Sequence, residues 1–369
     1  MFAANCCRFQ LVGLTLLLAT GCVAGAGSQN TFVTQAVAEF DRPWAMVFLP
    51  DGRMLVTEKT GALLLVTPQG DKQEISGVPD VDYGGQGGLG DVILHPEYAV
   101  NQQIYLSYAE AGEDDTRGAV VVRARLDLDA RELSGLTRIW EQFPKVTGRG
   151  HYGHRLAFDA QGYLFISSGD RQKFTPAQDM QQNLGKILRL NDDGSIPADN
   201  PFADQGGIAA QVWSLGQRNP LGIAFDQRGQ LWEIEMGPAG GDELNLITAA
   251  ENYGYPVVSN GDHYNGDEIP DHDTRPEFAE PEIWWTPVIS PGGMIIYSGA
   301  LFDAWRGNAL VAGLSSKALV RINLEGEPAE IERYDMGERI RAVAADSQGV
   351  VYLLEDGEDG RMLRLTPAP

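Results

Sequence analysis

The chain has 369 residues, a formal net charge of −23 and 43% hydrophobic residues. That is enough apolar material for a sizeable core, and the acidic balance excludes nucleic acid and anionic membrane surfaces as partners, since both are held through basic patches. The three cysteines, Cys6, Cys7 and Cys22, all fall near the N-terminus, which excludes a disulfide framework or a cysteine-bound metal in the body of the chain.

Taken in order, the N-terminus offers one basic residue, Arg8, a mostly apolar run from Leu11 to Ala19, and then Gly21-Cys22. A run of about nine residues is too short to span a bilayer. The pattern reads as an export signal over residues 1–22, followed by a short linker, 23–30. Gly-Cys after a leucine-rich run resembles a bacterial lipoprotein cleavage site, which would make Cys22 the lipidated first residue. Ala19 departs from the usual leucine, and plain cleavage near Ala24 to Ala26 is the alternative. The expectation is an exported protein, periplasmic or anchored to the outer membrane through Cys22.

From residue 31 onward a single unit recurs: an apolar run, a turn of Asp/Pro-x-Gly type, a second apolar run, and a third that ends in a charged turn. Val47 to Val56 turns through Asp51-Gly52; Leu156 to Ile166 through Asp159 to Gly162; Ile223 to Ile234 through Asp226 to Gly229; Ala342 to Leu354 through Asp346 to Gly349. Two further copies start at Asp91 and Met294. Six copies at a spacing of roughly 50 residues predict an all-β, six-bladed β-propeller spanning 31–369 as one domain. The segment from Thr31 to Phe40 is a strand without a repeat of its own, and it could close the ring by pairing with the last unit. The acidic tract from Asp267 to Glu282 reads as a long loop inside one blade connection.

Chemistry concentrates in a few glycine-rich breaks between these units. His151, in Gly148-Arg-Gly-His-Tyr-Gly-His-Arg-Leu156, stands just before a strand, where an imidazole could take a proton near neutral pH; a satisfied loop histidine, or half of a zinc site with His154, are the other readings. Gln86, in Tyr83-Gly-Gly-Gln-Gly-Gly-Leu89, could present its amide to a flat polar ligand, although glycine density alone also predicts a plain connection. Arg218 and Asn219 precede Pro220 and could meet an anionic, carbonyl-bearing ligand. The segment Met236-Gly-Pro-Ala-Gly-Gly-Asp-Glu243, with Glu251-Asn-Tyr253, exposes main-chain carbonyls beside carboxylates, the oxygen donors that calcium prefers; a solvated turn is the plain alternative. Arg339 and Arg341 alternate, so both face one side of a strand start, suited to carboxylates or to a salt-bridged blade edge. Tyr264 and Trp285 could wall a planar ligand or a sugar, or be buried blade aromatics.

Gly216-Gln-Arg-Asn-Pro-Leu-Gly222, Gly237-Pro-x-Gly-Gly-Asp-Glu243 and Asn252-Tyr-Gly-Tyr-Pro256 together resemble the soluble quinoprotein aldose sugar dehydrogenases, relatives of soluble glucose dehydrogenase. Gly150-His-x-x-x-Arg-Leu156, Gly85-Gln-Gly-Gly-Leu89 and Arg339-Ile-Arg341 extend that likeness in the family's order over nearly the whole mature chain. The resemblance implies a six-bladed propeller using pyrroloquinoline quinone (PQQ) and calcium, with an aldose substrate and an external electron acceptor, as monomer or homodimer. It makes His151 the catalytic base and Arg218 the group that polarises the reacting carbonyl. Gln86, Arg218, Asn219, Tyr264, Arg339 and Arg341 would contact PQQ. One calcium would sit on the main-chain oxygens of Gly237 and Pro238, and a second on Glu243 and the Tyr253 carbonyl.

Four positions depart from the family pattern. Gly90 replaces a bulkier residue, His154 a small one, and Met236 a histidine. Ser315 stands where a lysine contacts PQQ, with Lys317 two residues on. A calcium-dependent propeller lactonase and a non-catalytic propeller that binds carbohydrate or protein are the rival readings.

Overall fold

The computed structural model describes Met1 and residues 31–369, so the expected export signal and Cys22 lie outside the described residues. Six four-stranded antiparallel sheets follow one another along the chain, at residues 43–75, 89–141, 153–215, 220–285, 291–335 and 340–367. The sixth is completed from the other end of the chain. Phe32–Phe40 pairs antiparallel with Gly360–Pro367 as its outermost strand, the closure expected of Thr31 to Phe40. The propeller is therefore six-bladed, and the ring is latched by joining the first strand to the last.

The recurrent turn has one physical cause. Asp159, Asp226 and Asp346 each use Oδ1 to accept backbone N–H bonds from residues two and four positions on, at 2.8–2.9 Å. An aspartate that caps its own turn in this way specifies the hairpin locally. The second and third strands of each blade are nearly continuous runs of buried Val, Ile, Leu and Ala, as in Met54–Glu58 and Ala309–Gly313. These runs pack face to face with neighbouring blades and form the core.

The apolar repeat shows three strands per unit, and the structure has four. The outer strands, such as Lys72–Ile75 and Ala329–Asp335, are largely exposed and polar, so they carry no apolar pattern to detect. The acidic tract lies between Asp242–Ile247 and Ile283–Trp285, as a loop within the fourth blade. Among the described residues no helix is long and apolar enough to cross a membrane.

What positions the site is a shared irregularity. All six innermost strands break register within their first residues, at Pro43/Ala45, Leu89/Val92, Gly153/Leu156, Pro220/Gly222, Pro291/Gly293 and Ile340/Ala342. Bulges of this kind turn side chains out of the alternating pattern. Six of them at one end of the ring aim the residues before and within each inner strand towards a common face.

Candidate active site

His151 lies just before the strand Gly153–Phe158 and holds a left-handed backbone φ of 47°. Its Nδ1 stands 2.7 Å from Oδ1 of Asp170, a fully buried carboxylate just past the strand Leu164–Ser168. Asp170 is itself fixed, because it also accepts the backbone N–H groups of Gln172 and Phe174. A carboxylate in that place keeps the proton on Nδ1 and leaves Nε2 as the free lone pair. Burial holds the His151 pKa below its ordinary value, opposed by the Asp170 hydrogen bond and reinforced by the nearby charge of Arg218.

His151 opens onto a cleft of about 400 Å³ lined also by Arg218, Pro238, Phe174, Tyr255 and Tyr264. The Arg218 guanidinium lies 5.8 Å from the Tyr255 ring and 5.7 Å from that of Tyr264. It donates to the carbonyls of Met236 (2.8 Å) and Gly237 (2.5 Å). Its backbone N–H and that of Asn219 both bond to Oε2 of Glu235, whose carboxyl burial pushes up to about 7.

Beside the cleft is a second cavity of about 360 Å³, bordered by Gln86, Trp44, Lys59, His154, Arg339 and Arg341. The two spaces share a wall. Oε1 of Gln86 accepts the His151 backbone N–H at 2.7 Å, and Met236 faces the cavity while Pro238 faces the cleft. Arg339 and Arg341 both reach Asp356, at 3.0 and 2.8 Å.

The sequence matches the glucose/sorbosone dehydrogenase family over residues 40–364. An aldose sugar dehydrogenase of Escherichia coli K12 is 36% identical, over 97% of this chain and 98% of its own length. The chain belongs to the glucose/sorbosone dehydrogenase family. Among solved structures, a glucose dehydrogenase superposes with a TM-score of 0.87 at 39% identity, covering 91% of this chain and all of that one. The PQQ-bound aldose sugar dehydrogenase of Streptomyces coelicolor superposes at 0.75 with 28% identity, covering 91% of this chain and 98% of that one.

Within this member of the family the expected site residues divide between the two spaces. His151 and Arg218 face the cleft together; Gln86, Arg339 and Arg341 border the cavity. Tyr264, expected beside the cofactor, lines the cleft with His151 and Arg218 and is 78% exposed, because it rides on the long loop of the fourth blade. Asn219 borders neither space. It is fully buried, and both polar atoms of its side chain lack partners. Trp285 is a blade aromatic whose Nε1 donates to Glu330 at 2.7 Å. The Tyr253 carbonyl stands 3.1 Å from Nε2 of His272, and Glu243 is buried on the third strand of the fourth blade. Asp170 was not foreseen, although an aspartate closing the strand after the one that follows His151 is a signal that could have flagged it. Lys59, Phe174 and Tyr255 were missed as well.

Two of the departures turn out to be one. A Cβ added to Gly90 would lie 1.9 Å from Cε1 and 2.3 Å from Nδ1 of His154, which sits across the bulges of blades two and three. His154 stacks on Trp44 with centroids 4.8 Å apart and 11° between planes, and its Nδ1 is 2.7 Å from Ser107 Oγ. Burial, aided by the charge of Arg155, pushes its pKa down to about 3, so the ring is a neutral wall of the cavity. The large residue at 154 fits only because position 90 is bare. Gly90→Ala is therefore expected to destabilise the fold by about 1–3 kcal/mol. Adding His154→Ala should recover at least about 1 kcal/mol of the summed cost, a coupling read from a double-mutant cycle in urea. Strict additivity would show that the two positions are independent.

Proposed function

We propose that this chain is a quinoprotein aldose dehydrogenase. It oxidises the anomeric C1 hydroxyl of an aldose to an aldonolactone by hydride transfer to PQQ and passes the electrons to an external acceptor. One observation carries this reading. A carboxylate-oriented histidine opens on a cleft and is tied through its own backbone N–H to the glutamine of an adjoining cationic cavity.

The residues of that cavity suit the cofactor. PQQ is flat and bears three carboxylates, and the cavity sets Arg42, Lys59, Arg339 and Arg341 against the single carboxylate of Asp356. Gln86 has its amide oxygen committed to His151 and its NH₂ group free to donate. When bound, PQQ supplies the acceptor for hydride. Nε2 of His151 takes the proton from the C1 hydroxyl, and Asp170 holds the ring in the required tautomer and stabilises the imidazolium that results. Arg218, a permanent cation facing the same cleft, stabilises negative charge that develops on an oxygen there. The PQQ-bound state of the Streptomyces coelicolor relative supports the assignment.

Calcium fits the oxygen-rich interior of the fourth blade. Glu233, Glu235 and Glu243 are buried on facing strands, and Glu233 Oε1 and Asn245 Oδ1 have no hydrogen-bond partner. Burial, and then the neighbouring charge of Glu235, pushes the carboxyls of Glu233 and Glu243 up, a deficit that a hard cation relieves. Among the described residues no three His, Cys, Asp or Glu side chains gather closely enough to bind a metal unaided. Main-chain carbonyls would therefore share the coordination: one calcium would sit on the oxygens of Gly237 and Pro238, and a second on Glu243 with the Tyr253 carbonyl. The first would supply positive charge beside the cleft, and the second would neutralise the buried carboxylates.

The test is dye-linked oxidation of glucose and other aldoses by the purified chain, with PQQ and calcium together and with each withheld. Activity that requires both is the expected result. Failure to bind PQQ would overturn the dehydrogenase reading and leave a lactonase or a binding propeller.

A further inference from the structure

The cavity beside Gln86 holds four cations, and three of them are already engaged. Arg339 and Arg341 share Asp356, while Arg42 bridges Asp41 at 2.6 Å and Glu358. Lys59 differs. Its ammonium donates to a neutral acceptor, the Gly85 carbonyl at 2.9 Å, in the same loop that carries Gln86. Among the described residues no carboxylate lies within ion-pair distance of it, although the side chain is half-buried. Burial and then the nearby charge of Arg341 work against its protonated state, opposed by Asp356, which Arg339 and Arg341 already hold. A half-withdrawn cation kept beside other cations without a carboxylate of its own is costly, and it is the arrangement expected where an anionic ligand completes the balance.

The backbone holds Lys59 firmly in that place. Its N–H donates to the Arg42 carbonyl at 3.0 Å and its carbonyl accepts from Leu89 at 3.1 Å, so the residue is pinned between the first two blades. A tight turn follows, closed by the bond from Gly61 N–H to the Glu58 carbonyl at 2.9 Å.

The position from which the family resemblance expects a lysine offers none. Ser315 is exposed and its hydroxyl bonds to the Val288 carbonyl; Leu314 is the residue there that borders the cavity. Lys317 does not take over, because its Nζ reaches the Gly337 carbonyl at 3.0 Å and Glu338 at 3.7 Å, away from the cavity.

We propose that Lys59, brought in from the first blade, is the cation that binds a carboxylate of the cofactor in place of the lysine absent at Ser315. The proposal rests on the PQQ reading above and adds to it the residue that makes this contact in this chain.

Equilibrium binding of PQQ to the purified chain with calcium present, followed by quenching of tryptophan fluorescence and without any sugar, tests it. Lys59→Met keeps the apolar stem and removes the charge, and should raise Kd about ten- to a hundred-fold, as expected for loss of a charged hydrogen bond. Lys59→Arg should remain within a few-fold of wild type, and Lys317→Met within about two-fold. The trimethyl ester of PQQ, which lacks the charges, should bind wild type and Lys59→Met alike. A Kd unchanged in a folded Lys59→Met protein, or a loss confined to Lys317→Met, would overturn the assignment while leaving the PQQ reading intact. Wild-type chain that fails to bind PQQ at all would overturn both.

Discussion

His151→Ala, loaded with PQQ and calcium, is expected to oxidise aldoses about a hundred- to ten-thousand-fold more slowly than the wild type, the range a positioned general base supplies. PQQ affinity should change little, because the contact between this residue and the cavity runs through its backbone N–H, which alanine retains. The pH profile gives an independent check. The working form is the neutral imidazole, so kcat/KM must fall as pH drops through the His151 pKa. Burial lowers that pKa below its ordinary 6.5, which places the half-fall of the acid limb below pH 6.5. Asp170→Asn removes the carboxylate charge that opposes the shift, so the limb should move further down while kcat also drops, the amide no longer holding the ring in one tautomer. Turnover within three-fold of wild type in His151→Ala, measured by stopped-flow reduction of bound cofactor, would remove this histidine from the chemistry.

The parts legible in the sequence are those whose cause is local. Asp159, Asp226 and Asp346 specify their turns with their own carboxylates, and the buried strands that flank them read as apolar runs. The six-fold repeat could therefore be counted from residues alone. The outer strands follow from position in the sheet, not from composition, and a segment such as Lys72–Ile75 looks like any polar loop. The site follows the same rule. Gln86, His151 and Arg218 are marked by glycines and a proline that shape their own loops. Asp170 reaches His151 through the pairing of the first two strands of the third blade, and Lys59 meets Arg339 and Arg341 only when the ring closes; neither is marked by the composition of its own stretch. The pairing of Gly90 with His154 is a contact between blades, invisible when each is read as a separate departure.

Arg155→Met is expected to cost about 3–5 kcal/mol of stability, the penalty for stripping one partner from a buried, hydrogen-bonded charge pair. Arg155 lies on the innermost strand of the third blade, and its guanidinium reaches the inner strands of four others. It pairs with Asp91 of the second blade at 3.2 Å, donates to the carbonyls of Leu221 (2.8 Å) and Gly292 (2.5 Å) of the fourth and fifth, and lies 3.7 Å from the ring of Trp44 in the first. Burial pushes the Asp91 carboxyl up and the Arg155 guanidinium down, so each charge is tolerated mainly because the other is present. Methionine fills much of the space yet leaves one carboxylate and two carbonyls at the centre of the ring without their donor. Pairing it with Asp91→Asn removes the stranded charge while keeping an oxygen for one of the two N–H groups that the carboxylate now serves, Val92 on Oδ1 and Leu156 on Oδ2. The double variant should then be more stable in guanidinium unfolding than the sum of the single losses by at least about 1 kcal/mol. The loss should also reach the cavity beside Gln86, because Trp44 is both the surface under Arg155 and the plate on which His154 stacks. An Arg155→Met protein with wild-type stability would mean that packing between neighbouring blades holds the ring without a central tie.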